Sequence, residues 1–143
     1  ELIIAILDIN PFSPGHTLLI PKEKVVTLDK LSSKSAAAVG RMLPKLSKAI
    51  LEITGAEEFN ILQNNGINAF QSVFHVHFHI IPKYPESNHS FIWEPKPIDH
   101  SDATELSKAI LQEFEKEGGT SKKHSPKSQS FFSKLKEVWE DLT

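Results

Sequence analysis

The sequence predicts an α+β domain with a mostly antiparallel sheet and two main helices. Three observations lead to this fold class: short β-branched runs bounded by proline and glycine, two longer segments with apolar residues at helical spacing, and one segment in which histidines alternate with apolar residues. With 143 residues, of which 39% are apolar, the chain suits one ordinary domain with some polar chain left over.

Four segments are predicted as strands. The first is a continuous apolar run and is therefore predicted to be buried, and the last is the longest and is closed by Pro82. In chain order the segments are residues 2–7, 17–20, 59–63 and 71–81. A strand beginning at residue 2 is unusual, because chain ends are normally loose. We therefore expect the domain to be incomplete at its N-terminus.

Two segments carry the helical spacing. The first follows a capping serine, Ser32 or Ser33, and ends near Thr54 before Gly55, with Pro44 predicted to kink or break it. The second spans about 101–117; Ser101 is its predicted cap, and its apolar face consists of Leu106, Ile110 and Phe114.

The chain after the second helix changes in composition. Residues 118–130 contain three lysines, no acid and no large apolar side chain, which predicts a flexible basic linker. Residues 131–143 regain helical spacing and are predicted as an amphipathic helix that docks on its own domain or on a partner. The predicted organisation is a domain over 1–117, the linker and this helix.

Composition excludes several functional classes. The formal charge of −2 argues against a general nucleic-acid or membrane-surface binder, and the absence of cysteine excludes disulfides, thiol catalysis and thiolate metal sites. Residues 2–7, the longest apolar run, fall far short of the roughly 20 residues that span a bilayer. We expect no membrane association, no specific nucleic acid and a cytoplasmic protein, with the nucleus as a further location.

The most informative segment holds three alternate histidines. Side chains on a strand alternate between faces, so His75, His77 and His79 are predicted to share one face, while Val76 and its alternate neighbours enter the core. Clustered titratable groups of this kind mark functional sites more often than solvated surfaces.

Two chemistries use such a cluster. Histidines two apart on a strand can ligate zinc, and a neutral imidazole can attack phosphorus while a neighbouring group stabilises the charge. Residues 63–81 contain no acid or cysteine but several amides and a serine, and these donate hydrogen bonds without adding negative charge. The face is therefore predicted to bind an anion.

The segment His75–Ile81 resembles the motif of the histidine triad family, in which three histidines alternate with apolar residues. Two more stretches are similar to family segments: residues 7–22, with Asp8, Pro14-Gly15-His16 and Ile20-Pro21-Lys22, and residues 60–73, with NILQNNG and Gln71-Ser72. Order and spacing match, and the similarity is greatest to the Hint branch, the purine nucleoside phosphoramidases.

The resemblance implies catalytic roles by position. His77 would attack the α-phosphorus of a nucleotide and form a nucleotidyl-histidine intermediate, from which water releases the monophosphate. His79 would contact a phosphate oxygen and assist the leaving group. His75 would orient the nucleophile through a relay, and His16 would be a fourth histidine at the same site.

The resemblance also implies the nucleotide contacts. Asp8 would accept hydrogen bonds from the ribose hydroxyls, and Ile9 would pack on the base. Asn64, Gln71 and Ser72 would contact phosphate or ribose.

Two departures from the family pattern bear on the site. Some members bind a structural zinc through an upstream cysteine pair and a later histidine, but Lys24 stands at that histidine's position and the chain has no cysteine, so we expect no metal and no cofactor. Phe70 stands where a small residue is common, and its ring is expected to reshape the phosphate loop.

The leading hypothesis is therefore hydrolysis of purine nucleoside phosphoramidates by a homodimer whose sheets join edge to edge. Three alternatives remain open at this point: hydrolysis of dinucleoside polyphosphates, a nucleotide-binding interaction module, and a zinc-dependent hydrolase that uses the triad as ligands.

Overall fold

A computed structural model describes residues 2–86 and 94–116. The chain divides into two units, Glu1–Phe91 and Ile92–Thr143. Among the described residues, those of the first unit form the sheet and a long helix, and those of the second form one further helix. None of the helices in the described ranges is long and apolar enough to cross a bilayer.

The sheet has four strands, and all its pairings are antiparallel, in the order β1-β2-β4-β3. Their bounds are Ile3–Leu7 (β1), Thr17–Pro21 (β2), Glu58–Leu62 (β3) and Phe78–Lys83 (β4). The predicted α+β class is thereby confirmed.

The long helix α1 spans Ser33–Thr54, as its end signals predict. The Ser32 hydroxyl accepts a hydrogen bond from the Ser35 amide, and Gly55 adopts the left-handed conformation that ends many helices. The helix continues through Pro44 without a break.

The core lies between α1 and the central strands. Its buried side chains are Leu19 on β2, Val39 on α1, and Val76 and Phe78 on the histidine segment. Helix α1 therefore packs on one face of the sheet.

The prediction of a buried first strand is wrong. Ile4 is 45% exposed, Ile6 is 47% exposed and Leu7 is 68% exposed. The reason is that β1 lies at the edge of the sheet, whereas α1 covers the central strands.

The fourth strand is shorter at its start than predicted and does not end before Pro82. It begins at Phe78 and runs through Pro82 to Lys83. Pro82 is tolerated because β2 pairs with residues 78–80 only, so the proline lies beyond that ladder and pairs with Phe59 on β3.

The second helix, α2, spans His100–Lys116, one residue ahead of the prediction. Ser101 is not the cap; instead, the Asp99 carboxylate accepts the Ser101 amide at 2.8 Å. The predicted apolar face is exposed, at 54% for Leu106, 61% for Ile110 and 59% for Phe114. The predicted linker and terminal helix, residues 118–143, lie outside the described residues.

Gly15 allows the loop before β2 to approach the end of α1. Its φ is +84°, and a Cβ there would lie 2.6 Å from Thr54 Cγ2 and 3.3 Å from Pro82 Cγ. Only glycine meets both demands, since a side chain would be strained in this conformation as well as clashing.

We predict that Gly15→Ala lowers the free energy of unfolding by about 2 kcal/mol or more, because the strain and the clash add. Gly40→Ala is the matched control: Gly40 lies inside α1 with nothing within 4 Å of an added Cβ. It should raise the free energy of unfolding by about 0.5–1 kcal/mol. Urea denaturation followed by circular dichroism measures both, and equal effects would contradict the close approach.

Candidate active site

The histidine segment places its side chains as the alternation predicts. Val76 and Ile80 are fully buried and Phe78 is 8% exposed, whereas the three histidines are half-buried on the opposite face. His75 and His77 precede β4 rather than lying within it, but the Val76 amide donates to the Val25 carbonyl at 2.9 Å. This hydrogen bond holds the histidine segment against the chain at Val25.

The sheet brings His16 to the same face. His79 is the register partner of Leu18 on β2 and of Leu62 on β3, and His16 directly precedes β2. The His16 Nε2 and His79 Nδ1 atoms are 2.9 Å apart, and the ring centroids of His79 and His77 are 4.8 Å apart. Three imidazoles therefore form a continuous cluster.

The main-chain amide of Phe12 determines the tautomers of His16 and His79. The Phe12 N–H donates to His16 Nδ1 at 3.1 Å, so the proton of neutral His16 is on Nε2. That proton is donated to His79 Nδ1, and neutral His79 therefore carries its own proton on Nε2. This N–H is the one that His79 can offer to a ligand.

Carbonyl groups assign the other two rings. His77 Nδ1 is 2.7 Å from the His75 carbonyl oxygen, and a carbonyl only accepts, so Nδ1 carries the proton and Nε2 of the neutral ring is a free lone pair. His75 Nε2 likewise donates to the Pro21 carbonyl at 2.7 Å. His75 thus contacts His77 through its main-chain carbonyl, and its role in orienting the nucleophile through a relay stays a prediction.

Burial favours the uncharged forms of His16 and His79. It lowers the pKa of His79 to about 4, and the nearby His77 and His16 act in the same direction. Burial also lowers the pKa of His16, partly offset by the Asp8 carboxylate, whose oxygen lies 3.7 Å from His16 Nδ1.

A cavity of about 270 Å³ lies beside His77. It is lined by Leu18, Ile20 and Val73 together with His75 and His77. Its three aliphatic residues give the cavity a mostly apolar lining next to the two imidazoles.

Two of the predicted contact residues serve the loop before the triad. Gln71 is 2% exposed; its Oε1 accepts from the Gly66 amide at 2.7 Å, and its Nε2 donates to the Val26 carbonyl at 2.7 Å. Asn64 Nδ2 donates to the Phe70 carbonyl at 3.4 Å. Both side chains shape the loop, and a direct contact of either with substrate stays a prediction.

The remaining predicted residues differ in exposure. Asp8 lies beside His16, and its Oδ1 accepts from the Asn10 amide at 2.8 Å. Ile9 is 92% exposed and Ser72 is also exposed, and a contact of either with substrate stays a prediction.

Asp8, His16 and His79 could hold a metal ion by distance, since their ligand atoms lie within 4.8 Å of one another. The hydrogen bonds oppose this. Both nitrogens of His16 are engaged, with the Phe12 amide and with His79, so a metal would have to replace one of these bonds. The donor set therefore fits a proton-carrying pair better than a metal centre.

Reasoning from side chains missed the main-chain groups of the site. The amide of Phe12 and the carbonyls of Pro21 and Val26 orient His16, His75 and Gln71, but their own side chains carry no such signal. The proline and glycine that shape residues 11–16 were the only indication in the sequence that this loop has a fixed geometry.

This histidine cluster, on one face of an antiparallel sheet, is the candidate active site of the described residues. A family profile described as HIT domain matches residues 1–86, and the chain belongs to that family. A second profile, described as chaperone protein DnaJ C-terminal region, matches residues 108–141.

Several relatives resemble the chain closely. Adenosine 5'-monophosphoramidase hnt1 of Schizosaccharomyces pombe is 44% identical over 76% of this chain and 80% of its own. Adenylylsulfatase HINT3 of Arabidopsis thaliana is 45% identical over 58% of this chain, which spans 42% of that protein. The crystal structure of a HIT family member from Bacillus subtilis superposes with a TM-score of 0.74 at 33% identity, covering 78% of this chain and 82% of its own.

We predict that His79 makes stability depend on pH. Its pKa of about 4 lies below the 6.5 of an unfolded histidine, so the unfolded chain binds more protons between these values. The free energy of unfolding should therefore fall as the pH drops from 6.5 towards 4. Urea titrations at pH 7 and pH 5 measure the difference, which should be smaller in His79→Gln; an equal difference would contradict the burial of a neutral His79.

Proposed function

We propose that this chain hydrolyses purine nucleoside phosphoramidates, such as AMP joined through nitrogen to an amine or lysine, by way of a nucleotidyl-His77 intermediate. The main support is the hydrogen bond from His77 Nδ1 to the His75 carbonyl at 2.7 Å, because it leaves Nε2 of His77 unprotonated. The His77 ring also lies next to the His79 ring. The printed name of the S. pombe relative, an adenosine 5'-monophosphoramidase, supports the substrate class.

In the first step, His77 Nε2 attacks the α-phosphorus, and the phosphorus–nitrogen bond on the opposite side breaks. The leaving nitrogen must gain one proton. His79 can supply it, because its Nε2–H is the end of the ring turned away from His16.

The His16–His79 pair gains that proton when substrate binds. Burial lowers the pKa of both rings in the free protein. A phosphoryl anion beside His79 opposes this shift, because an opposite charge favours the protonated form. The His16–His79 pair therefore takes up a proton when the anion binds, and it later donates a proton to the leaving amine.

In the second step, water attacks phosphorus and the bond to His77 Nε2 breaks. The water's proton returns to the His16–His79 pair, which releases it to solvent when the monophosphate departs and burial again lowers both pKa values. The protein thus ends in its starting protonation state, and no metal takes part in either step.

The nucleoside is assigned to the Asp8 end of the histidine face. Asp8 would accept the ribose hydroxyls with the oxygen that Asn10 leaves available, and Ile9, 92% exposed, would cover the base. Ser72 and the main chain around Gln71 would contact the phosphate, while Asn64 and the Gln71 side chain hold that loop in place.

We also propose that two copies join along β3. This strand lies at a sheet edge, and Phe59 and Ile61 on it are 38% and 43% exposed. Both face away from the histidines, since Ile61 is the register partner of buried Ile80. A partner at this edge therefore leaves the site open.

We predict that His77→Ala reduces turnover of adenosine 5'-phosphoramidate about a thousandfold or more, because the nucleophile is lost. His100→Ala, a histidine on α2, is the matched control and should keep wild-type turnover. A chelator should change neither rate.

The same assay on diadenosine polyphosphates distinguishes the alternatives. Preference for the polyphosphates would replace the proposed substrate, and loss of turnover with chelator would support the zinc-dependent hydrolase. Tight AMP binding without turnover would indicate a nucleotide-binding module.

We predict that Ile61→Lys shifts the protein from dimer to monomer, because a charge at the strand edge opposes pairing. Ile6→Lys, at the edge strand β1, is the control and should remain dimeric. Analytical ultracentrifugation gives the masses, and a monomeric wild-type chain would contradict the proposed dimer.

A further inference from the structure

Helix α2 carries an apolar face without being buried at any residue. Its large apolar side chains are 54% exposed at Leu106, 61% at Ile110, 38% at Leu111 and 59% at Phe114. At 3.6 residues per turn these four side chains lie on one side of the helix, here called the α2 face. Most of the stability of a helix in a protein comes from packing such a face, so α2 requires a partner.

The sequence after α2 contains a second stretch of the same kind. Residues 131–142, here called the terminal segment, are predicted to be helical, and their apolar residues fall on one side: Phe131, Leu135, Val138, Trp139 and Leu142. The central three steps of the two faces match in length, since Leu106, Ile110 and Phe114 are four residues apart and residues 135, 139 and 142 are four and three apart. Two such faces can pack against each other.

The chain between the two stretches is long enough for this packing. Helix α2 has 17 residues and is therefore about 25 Å long. Residues 117–130 separate it from the terminal segment, and when extended they span about 45 Å. The terminal segment can therefore return along α2 in either direction.

Charge favours the antiparallel direction. In an antiparallel pair, Lys134 and Lys136 at the start of the terminal segment lie beside Glu113 and Glu115 near the end of α2. In a parallel pair, the three acids within residues 137–141 would lie beside the same two glutamates and repel them. Each exposed ion pair contributes little, so the charges select the direction while the apolar contact supplies the stability.

We infer that the terminal segment folds back on α2 and covers the α2 face as an antiparallel helix of the same chain. Phe114 then packs on Leu135, and Ile110 packs on Trp139. The two helices form a hairpin within the second unit, Ile92–Thr143. This inference does not depend on the proposed phosphoramidase function, and it assigns the α2 face to a segment of this chain rather than to a second copy.

Cross-linking in the full chain tests the contact without changing an apolar residue. The sequence contains no cysteine, so a short bismaleimide reacts only with cysteines that are introduced in pairs. Glu113→Cys combined with Lys134→Cys should be cross-linked within one chain about tenfold faster than Gln112→Cys combined with Lys134→Cys, because docking raises the effective concentration of the first pair. Gln112 lies on the side of α2 opposite to Ile110 and is the matched control.

Amide hydrogen exchange tests whether the terminal segment stabilises α2. Leu135→Asp places a carboxylate in the apolar contact, so exchange of the amides of residues 110–114 should become about tenfold faster. Ser133→Asp adds the same charge on the opposite side of the terminal segment and is the matched control. It should leave the exchange rates at the wild-type values.

The two measurements decide the inference separately from enzymatic activity. Equal cross-linking rates for the two cysteine pairs would overturn it, and so would unchanged exchange in Leu135→Asp. Cross-links between two chains, seen as a dimer on a denaturing gel, would assign the α2 face to a second copy and would also overturn it. A wild-type chain that does not hydrolyse phosphoramidates would overturn the proposed function alone.

Discussion

The orientation of the imidazole rings, three of them by main-chain groups and His79 by the His16 ring, is the constraint on which the site depends. A histidine offers either nitrogen for chemistry, and its neighbour at the other nitrogen decides which one. Here the neighbour is a main-chain group in three cases: the Phe12 amide at His16, the His75 carbonyl at His77 and the Pro21 carbonyl at His75. The backbone therefore determines where the protons lie on His77 and, through His16, on His79.

The fold supplies these main-chain groups by bringing distant segments together. Strand β4 pairs with β2 on one side and β3 on the other, so His79 meets the loop before β2 at His16. That loop is held against α1 through Gly15, and the Ser13 hydroxyl donates to the Pro82 carbonyl at 2.6 Å. Packing of the core on one face thereby fixes proton positions on the other.

The sequence predicted those features that depend on local pattern. Helix α1 was predicted at both ends because Ser32 and Gly55 are strong end signals, and the alternation around His77 predicted which side chains enter the core. Family resemblance located His16 near the triad, which spacing alone could not do, since 59 or more residues separate His16 from it along the chain.

What the sequence could not predict depends on tertiary position. An apolar run such as β1 has the same pattern in a central strand as at an edge, and only the strand order shows that β1 lies at the edge, where most of its side chains are exposed. The early start of the predicted fourth strand has a similar cause, because alternation continues through His75 and His77 before the ladder begins. Main-chain donors such as Phe12 leave no trace in side-chain patterns.

The most direct test of the account is to observe the proton positions on the rings. Long-range ¹H–¹⁵N correlation spectra of the histidine side chains at pH 7.5 distinguish the two neutral tautomers. The structure predicts a proton on Nδ1 of His77 and on Nε2 of both His16 and His79. A His77 ring protonated on Nε2 would contradict the account, because its nucleophilic lone pair would then face the His75 carbonyl.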